Sequence, residues 1–265
     1  MYRGRLAPTP SGLLHLGHAH TFWAAQQRAR EHGGELLYRN DNLDRDRCRP
    51  EFAQAALEDM QWLGLRWDGT PINQSAQLAQ YHSARDLLHA TGHLFPCDCS
   101  RKDILEATTA PHAEDGEPIY PGTCRTQEPK TKNPALNWRF RITDGELIEF
   151  IDAHLGPQRF VAGRDFGDFP IWQKNDLPAY QLAVVVDDAA MKITEVVRGA
   201  DLLLSTARQL LIYRALSLQP PSFYHCPLVT DENGQRLAKR HSSQSLRALR
   251  EVGMSPEEVR RRFST

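Results

Sequence analysis

Two short stretches near opposite ends of the 265-residue chain carry residue types suited to handling a nucleotide. Near the start, Pro8-Thr9-Pro10-Ser11-Gly12 leads into Leu13-Leu14-His15-Leu16-Gly17-His18 and then into an Ala/Gln/Arg-rich stretch of helical composition. The first amides of a helix lack intrahelical acceptors and carry the positive end of its dipole, so an anion seated there is stabilised. Gly17 keeps the backbone clear for close approach of a phosphate. His15 and His18 add ring donors able to follow charge that builds on an α-phosphate during displacement. A His-x-Gly-His pattern alone is weakly specific, because histidines at a helix start also cap or pack. The second stretch, Arg236-Leu237-Ala238-Lys239-Arg240, supplies cations for the same phosphates, and the pair predicts a nucleotide-using site.

Three of the five cysteines lie close together in sequence, as Cys97-Asp98-Cys99 and, beyond Tyr120-Pro121-Gly122-Thr123, Cys124. Cysteines at i and i+2 of a tight turn can face one ion, and thiolates are the ligands tetrahedral zinc prefers. Three thiols leave such a site one ligand short. The competing reading is three reduced thiols without metal. Cys48 and Cys226 stand alone and read as packing residues. A structural metal would fold the loop-rich segment from about 97 to 125, whose apolar content is too low to hold itself.

These motifs, with Thr194-Glu195-Val196-Val197-Arg198-Gly199-Ala200-Asp201-Leu202 between them, resemble the class I aminoacyl-tRNA synthetase catalytic domain of the glutamyl type over nearly the whole chain. The resemblance implies a Rossmann-type α/β nucleotide-binding domain with an inserted zinc-bearing lobe. It divides the chain into a first Rossmann half at 1–95, an inserted acceptor and zinc lobe at 96–175, and a second half at 176–265 with the mobile lysine loop and a short helical tail. The chain stops about 25 residues past Lys239, leaving no room for an anticodon-binding domain. That length resembles the short paralogue, which attaches glutamate to the queuosine base of tRNA(Asp).

By the same resemblance, His15, His18 and Lys239 are catalytic, and His15, Gly17, His18, Arg236 and Lys239 bind ATP. Arg5, Thr9, Asp41, Tyr180 and Arg198 bind the amino acid, Arg198 being the natural fork for its side-chain carboxylate. Cys97, Cys99 and Cys124 hold Zn²⁺ with Tyr120 as fourth ligand, His112 being the alternative. ATP with Mg²⁺ is consumed, glutamate and tRNA are the partners, and a monomer is expected. Several residues depart from the family pattern. Asp41 and Asn42 stand where it has Glu-Asp, so the acid that meets the ammonium is one methylene short and a charge is lost. Thr9 replaces serine, Arg236 the first lysine of the mobile loop, and Ala238 its serine. Two rival readings stay open: transfer of the activated amino acid to a small molecule or carrier, and a non-catalytic RNA-binding paralogue.

The positioning elements follow from periodicity. Tyr2–Leu6 reads as a strand, 19–31 as a helix closed by Gly33-Gly34, Glu35–Asn40 as a strand and Pro50–Leu63 as a helix with proline in its first turn. Leu78, Tyr81, Ala84 and Leu88 share one helical face. Residues 138–142, 147–151 and 159–162 read as β-structure. Leu182–Val186 has the β-branched content of a strand, but the resemblance implies a helix there, followed by a strand at 193–197. Asn233-Gly234 is a two-residue hairpin signal, and Ser255-Pro256-Glu257-Glu258 opens a final helix with capping-box spacing.

Composition adds bounds. With 40% hydrophobic residues, 25% charged and no long apolar run, the chain reads as globular and cytoplasmic, with no membrane role. Net charge of −1 argues against bulk electrostatic capture of nucleic acid, so RNA contact must be local. The cluster Lys239, Arg240, Arg247, Arg250, Arg260, Arg261 and Arg262 is the candidate patch, set against the plainer reading of a solvated helical face.

Overall fold

The computed structural model describes residues 1–100, 102–104, 119–126, 135–229 and 245–263. His112, Asn233, Gly234, Arg236, Lys239 and Arg240 lie outside them.

The N-terminal part is a parallel sheet with helical crossovers. Strand β1 (Arg3–Leu6) leads through the Pro8–Leu14 loop into α1 (Leu16–Glu31), which returns to β2 (Glu35–Asn40). The two strands pair in parallel from Arg3 opposite Glu35 to Leu6 opposite Tyr38. A Schellman turn ends α1: Gly34 N–H donates to the Ala29 carbonyl and Gly33 N–H to that of Arg30, with Gly33 at φ +57°. Helix α1 starts at Leu16, three residues before the periodicity places it, because His15 is its N-cap.

Next come α2 (Pro50–Trp62), the short β3 (Ile72–Asn73) beside β2, and α3 (Leu78–Ala90), whose Tyr81 and Leu88 are fully buried. An antiparallel sheet follows in the order β4 (Leu94–Cys97), β5 (Asn137–Phe140), β8 (Phe169–Gln173), β9 (Leu177–Pro178). The hairpin β6 (Leu147–Asp152) and β7 (Gly156–Val161) belongs to another sheet. There it edges β11 (Ser222–Cys226), which pairs in parallel with β10 (Glu195–Gly199). Strand β10 runs beside β1, with Thr194 N–H donating to the Arg3 carbonyl at 2.8 Å.

Helix α4 (Tyr180–Ala190) resolves the ambiguous Leu182–Val186 run: Gln181 through Asp188 are all buried, so valines serve on every face. The strand after it begins at Glu195, two residues later than expected. Helix α5 (Leu203–Ala215) packs on α4. The chain ends in α6 (Leu246–Glu251) and α7 (Pro256–Arg261), the latter opened by the Ser255/Glu258 capping box. One core joins α1, α2, β1, β2, α6 and α7 around Leu6, Phe22, Met60, Leu65 and Val259. A second joins α3, α4, α5 and the antiparallel sheet around Tyr81, Phe169, Trp172, Val185 and Ile212.

Candidate active site and metal centre

A cleft of about 560 Å³ opens between the mouth of α1 and the ends of β1, β2 and β10. That volume lies within the range of small-molecule sites. It is lined by Arg5, Thr9, His15, Gly17, His18, Asp41, Tyr180 and Arg198, so the eight described residues assigned to the amino acid and ATP meet in one cavity.

The paired histidines are part of the helix start. His15 Nδ1 accepts the Gly17 amide at 3.1 Å, His18 Nδ1 accepts the His15 amide at 3.2 Å, and the ring centroids are 3.9 Å apart. An Nδ1 that accepts an amide carries no proton, so each neutral ring bears its hydrogen on Nε2. Capping and the ring donors are thus one arrangement: the caps fix the tautomer that leaves Nε2–H as donor. A Cβ at Gly17 would sit 3.0 Å from His15 Cε1, so glycine also sets the ring's position.

Deeper in the cleft, Arg5, Arg39 and Arg198 face Asp41, Asp187 and Asp188, all buried. The fully buried Arg39 donates from Nε to Asp41 Oδ1 at 2.7 Å, from Nη2 to Asp41 Oδ2 at 3.3 Å and from Nη1 to Asp188 Oδ1 at 2.6 Å. Arg5 donates to Asp188 and to the Val197 carbonyl. Burial raises the Asp41 carboxyl above the usual range against the pull of Arg39. Burial also pushes Asp187 up, to about 6. Asp188 stays below the usual range because Arg5 and Arg39 outweigh its burial. Asp41, expected to meet an ammonium, is already engaged at both oxygens by Arg39; the signal in the sequence was an arginine two residues upstream, near the end of β2.

Arg198 on β10 is buried, and its desolvation lowers its pKa. It donates from Nε to His225 Nε2 at 3.2 Å and from Nη2 to Thr206 Oγ1 at 2.7 Å. Its Nη1 has no hydrogen-bond partner among the described residues. A buried guanidinium nitrogen left open beside a cleft is a carboxylate receptor in waiting. His225 and Thr206, which hold this side chain, and Asp152 behind His225 have no motif in the sequence; the available sign was a histidine between Tyr224 and Cys226 in β11.

The route from the cleft to the second motif can be followed at its two ends. Pro227, Leu228 and Val229 line the cleft where the described chain leaves it. The chain resumes at Ser245, which bridges His15, and Leu246 N–H donates to the Leu14 carbonyl at 2.8 Å.

Apart from the cleft, the Sγ atoms of Cys97, Cys99 and Cys124 lie within 4.8 Å of one another. Tyr120 Oη is 3.5 Å from Cys97 Sγ and 3.8 Å from Cys99 Sγ, and Cys99 and Cys124 Sγ are 3.5 Å apart. A tetrahedral ion with bonds of about 2.3 Å to sulfur would have S···S edges of about 3.8 Å, so this donor set can hold a metal. Tyr120 Oη accepts the Cys124 amide, and Arg139 donates to Cys97 Sγ at 3.2 Å. Hydrogen bonds from Tyr120 and Arg139 bring the Cys97 thiol below its usual range despite burial.

In the tail, Arg247 pairs with Glu58, while Arg260 donates to the Leu63 carbonyl and lies over the Trp23 ring. Both dock the terminal helices onto α1 and α2. Arg250, Arg261 and Arg262 are exposed. No described helix is long and apolar enough to cross a membrane.

Comparison with known proteins agrees with this geometry. Residues 1–264 match the family described as tRNA synthetases class I (E and Q), catalytic domain. A glutamyl-Q tRNA(Asp) synthetase of Symbiobacterium thermophilum is 46% identical over 98% of this chain and 84% of its own length. One from Nitratidesulfovibrio vulgaris is 44% identical over 96% of this chain and 82% of its own. The crystal structure of a glutamate tRNA ligase from Elizabethkingia meningosepticum in complex with its amino acid shares the fold, with a TM-score of 0.76 at 24% identity; the chain covers 53% of that structure's length. The chain with this histidine-capped cleft belongs to the class I tRNA synthetases of the glutamyl and glutaminyl type, and within them to the glutamyl-Q tRNA(Asp) synthetase family.

Proposed function

We propose that this protein activates glutamate with ATP and transfers it to the queuosine base of tRNA(Asp). The observation that carries the reading is the single cleft in which a histidine-capped helix mouth faces a buried arginine with one open nitrogen. The helix mouth suits a phosphate chain, and the arginine suits a carboxylate. The names borne by the relatives supply the acceptor, tRNA(Asp).

In this reading the α-carboxylate of glutamate attacks the α-phosphorus of ATP, forming glutamyl-adenylate and releasing pyrophosphate. The Nε2–H groups of His15 and His18 meet the charge that develops on the phosphate, so catalysis is mostly positioning and electrostatics. Gly17 keeps the approach open. Arg198, with Arg5 and Tyr180, takes the side-chain carboxylate, while Thr9 and Asp41 serve the amino group, Asp41 through whatever lone-pair capacity Arg39 leaves it. Mg²⁺ bound with the ATP would neutralise part of the triphosphate charge. Arg236 and Lys239 add cations to the phosphates.

A hydroxyl of queuosine then attacks the acyl carbon of the adenylate, forming the glutamyl ester as the acyl–phosphate bond breaks and AMP leaves. Cys97, Cys99, Cys124 and Tyr120 would hold a structural zinc, which would order the 96–175 lobe toward the RNA, with 1–95 and 176–265 as the two halves of the nucleotide domain. The reading places the protein in the cytoplasm as a monomer. ATP–pyrophosphate exchange across the amino acids tests the first half: exchange with glutamate is expected, and its absence with glutamate refutes the substrate. Charging tRNA(Asp) with and without queuosine tests the second, and equal charging of both refutes the acceptor.

A further inference from the structure

Three buried residues outside the cleft lining converge on Arg198. Its Nε donates to His225 Nε2 at 3.2 Å and its Nη2 to Thr206 Oγ1 at 2.7 Å, while Thr206 Oγ1 is 3.1 Å from the same imidazole nitrogen. On its far side the fully buried His225 presents Nδ1 to Asp152 Oδ2 at 2.6 Å. Asp152, also buried, accepts the amides of His154 and Leu155 at 3.0 and 2.9 Å and that of His225 itself at 3.1 Å.

The protons in this network can be assigned from donors and acceptors alone. A carboxylate surrounded by three N–H groups serves them as an acceptor, so the hydrogen between Asp152 and His225 sits on Nδ1. A guanidinium has no lone pair to offer, so His225 Nε2 must be the acceptor facing Arg198. Both requirements agree on one form, the neutral imidazole with its proton on Nδ1. Burial and the neighbouring Arg198 cation hold the His225 pKa below its usual value, which keeps that form. The opposite tautomer would set N–H against N–H at 3.2 Å.

Orientation is the consequence. With Nε on His225 and Nη2 on Thr206, the guanidinium plane is fixed, and among the described residues Nη1 is left without a hydrogen-bond partner on the side of the cleft where Tyr180 lies. The carboxylate that starts the chain arrives on β6, from the hairpin that pairs with β11 only through Phe223 opposite Asp152. Substrate selection at Arg198 therefore depends on a segment well removed in sequence from the two motifs.

We propose that Asp152 and His225 are positioning residues for substrate recognition: Asp152 fixes the tautomer of His225, whose Nε2 holds Arg198 with one nitrogen turned to the substrate carboxylate. This rests on the reading that Arg198 receives that carboxylate.

The test compares His225→Asn with His225→Gln in glutamate-dependent ATP–pyrophosphate exchange, with urea unfolding as the control for folding. Asparagine keeps a donor for Asp152 but has no atom at the Nε2 position, whereas the longer glutamine side chain returns an acceptor to Arg198. The expected result is a KM for glutamate raised at least tenfold in His225→Asn with the KM for ATP within twofold, and recovery to within threefold in His225→Gln. An unchanged glutamate KM in His225→Asn, or equal rises for glutamate and ATP, overturns the proposal. Imidazole ¹⁵N spectra of the wild-type and Asp152→Asn proteins give a readout independent of substrate. His225 is expected to carry its proton on Nδ1 between pH 6 and 8 in the wild type and to lose that exclusive state in Asp152→Asn; a proton on Nε2 in the wild type also overturns it. A wild-type protein without glutamate-dependent exchange but with the Nδ1 form would refute the substrate reading while leaving the tautomer assignment standing.

Discussion

Replacing Gly17 by alanine separates what the helix needs from what the nucleotide needs. The added Cβ would lie 3.0 Å from His15 Cε1 and 3.1 Å from His15 Nδ1, closer than such contacts normally come, so the ring must give by a few tenths of an ångström. Gly17 lies inside α1 with φ outside the left-handed region, so alanine fits the backbone and gains up to about 1 kcal/mol of helix propensity. Disturbing the His15 cap costs about 1 kcal/mol. These effects nearly cancel, and the melting temperature is expected to move by no more than about 3 °C.

The nucleotide feels only the losses. The His15 donor shifts and a methyl group enters the cleft floor. One charge-assisted hydrogen bond to a phosphate is worth about 1.5–3 kcal/mol, or about a 10- to 100-fold change. ATP–pyrophosphate exchange at subsaturating ATP should therefore fall about 10- to 100-fold in Gly17→Ala, with the glutamate KM little altered. Exchange within twofold of wild type in a stably folded Gly17→Ala protein would refute the assignment of this helix mouth to the phosphates.

Asp59 on α2 is fully buried with neither carboxylate oxygen hydrogen-bonded among the described residues, and burial raises its pKa to about 6. Because the folded-state pKa lies above the unfolded one, the ionised form opposes folding, a burden absent in strong acid and complete above pH 6; Asp59→Asn should add up to about 3 kcal/mol at pH 7.5 and about half that at pH 5, read by urea unfolding. Gly34→Ala would put a Cβ 2.4 Å from the Tyr2 carbonyl oxygen, which accepts the Glu35 amide where β1 and β2 begin to pair, so a loss of about 3 kcal/mol or more is expected in the same assay. Purified protein should hold about one zinc per chain by elemental analysis and Cys124→Ser should lose it, with pyrophosphate exchange kept within a few fold because none of the four ligands lines the cleft.

The sequence announced the cleft's surface better than its foundations. Arg5, His15, Gly17, His18 and Arg198 stand in local motifs, so their convergence was legible from types and spacing. Their supports were not. Arg39 meets Asp188 across 149 positions, and Asp152 meets His225 across 73; pairings of that span are fixed by sheet order, which local periodicity does not encode. Helix α1 begins three residues before the expected start because its N-cap is His15, a residue type seldom read as a helix signal. The strand-like composition at Leu182–Val186 misleads for a physical reason: a helix buried on all sides has no amphipathic period to display. The turn joining β6 to β7 lacks a two-residue hairpin signal, since Asp152 organises it through the amides of His154 and Leu155.

Helix α4 sets terms for anyone wishing to retrain the enzyme on a different amino acid. Eight consecutive positions after Tyr180 are enclosed, and among them Asp188 pairs with both Arg5 and Arg39 while Asp187 lies 3.6 Å from Arg39. Substitutions across that helix would cost stability through cavities, overpacking or unpaired buried polar groups. Tyr180, 43% exposed at its first turn, is where diversity can be admitted, together with the loop residue Thr9. Altered selectivity is thus most accessible from the rim inward, with the arginine–aspartate lattice beneath kept as fixed scaffolding.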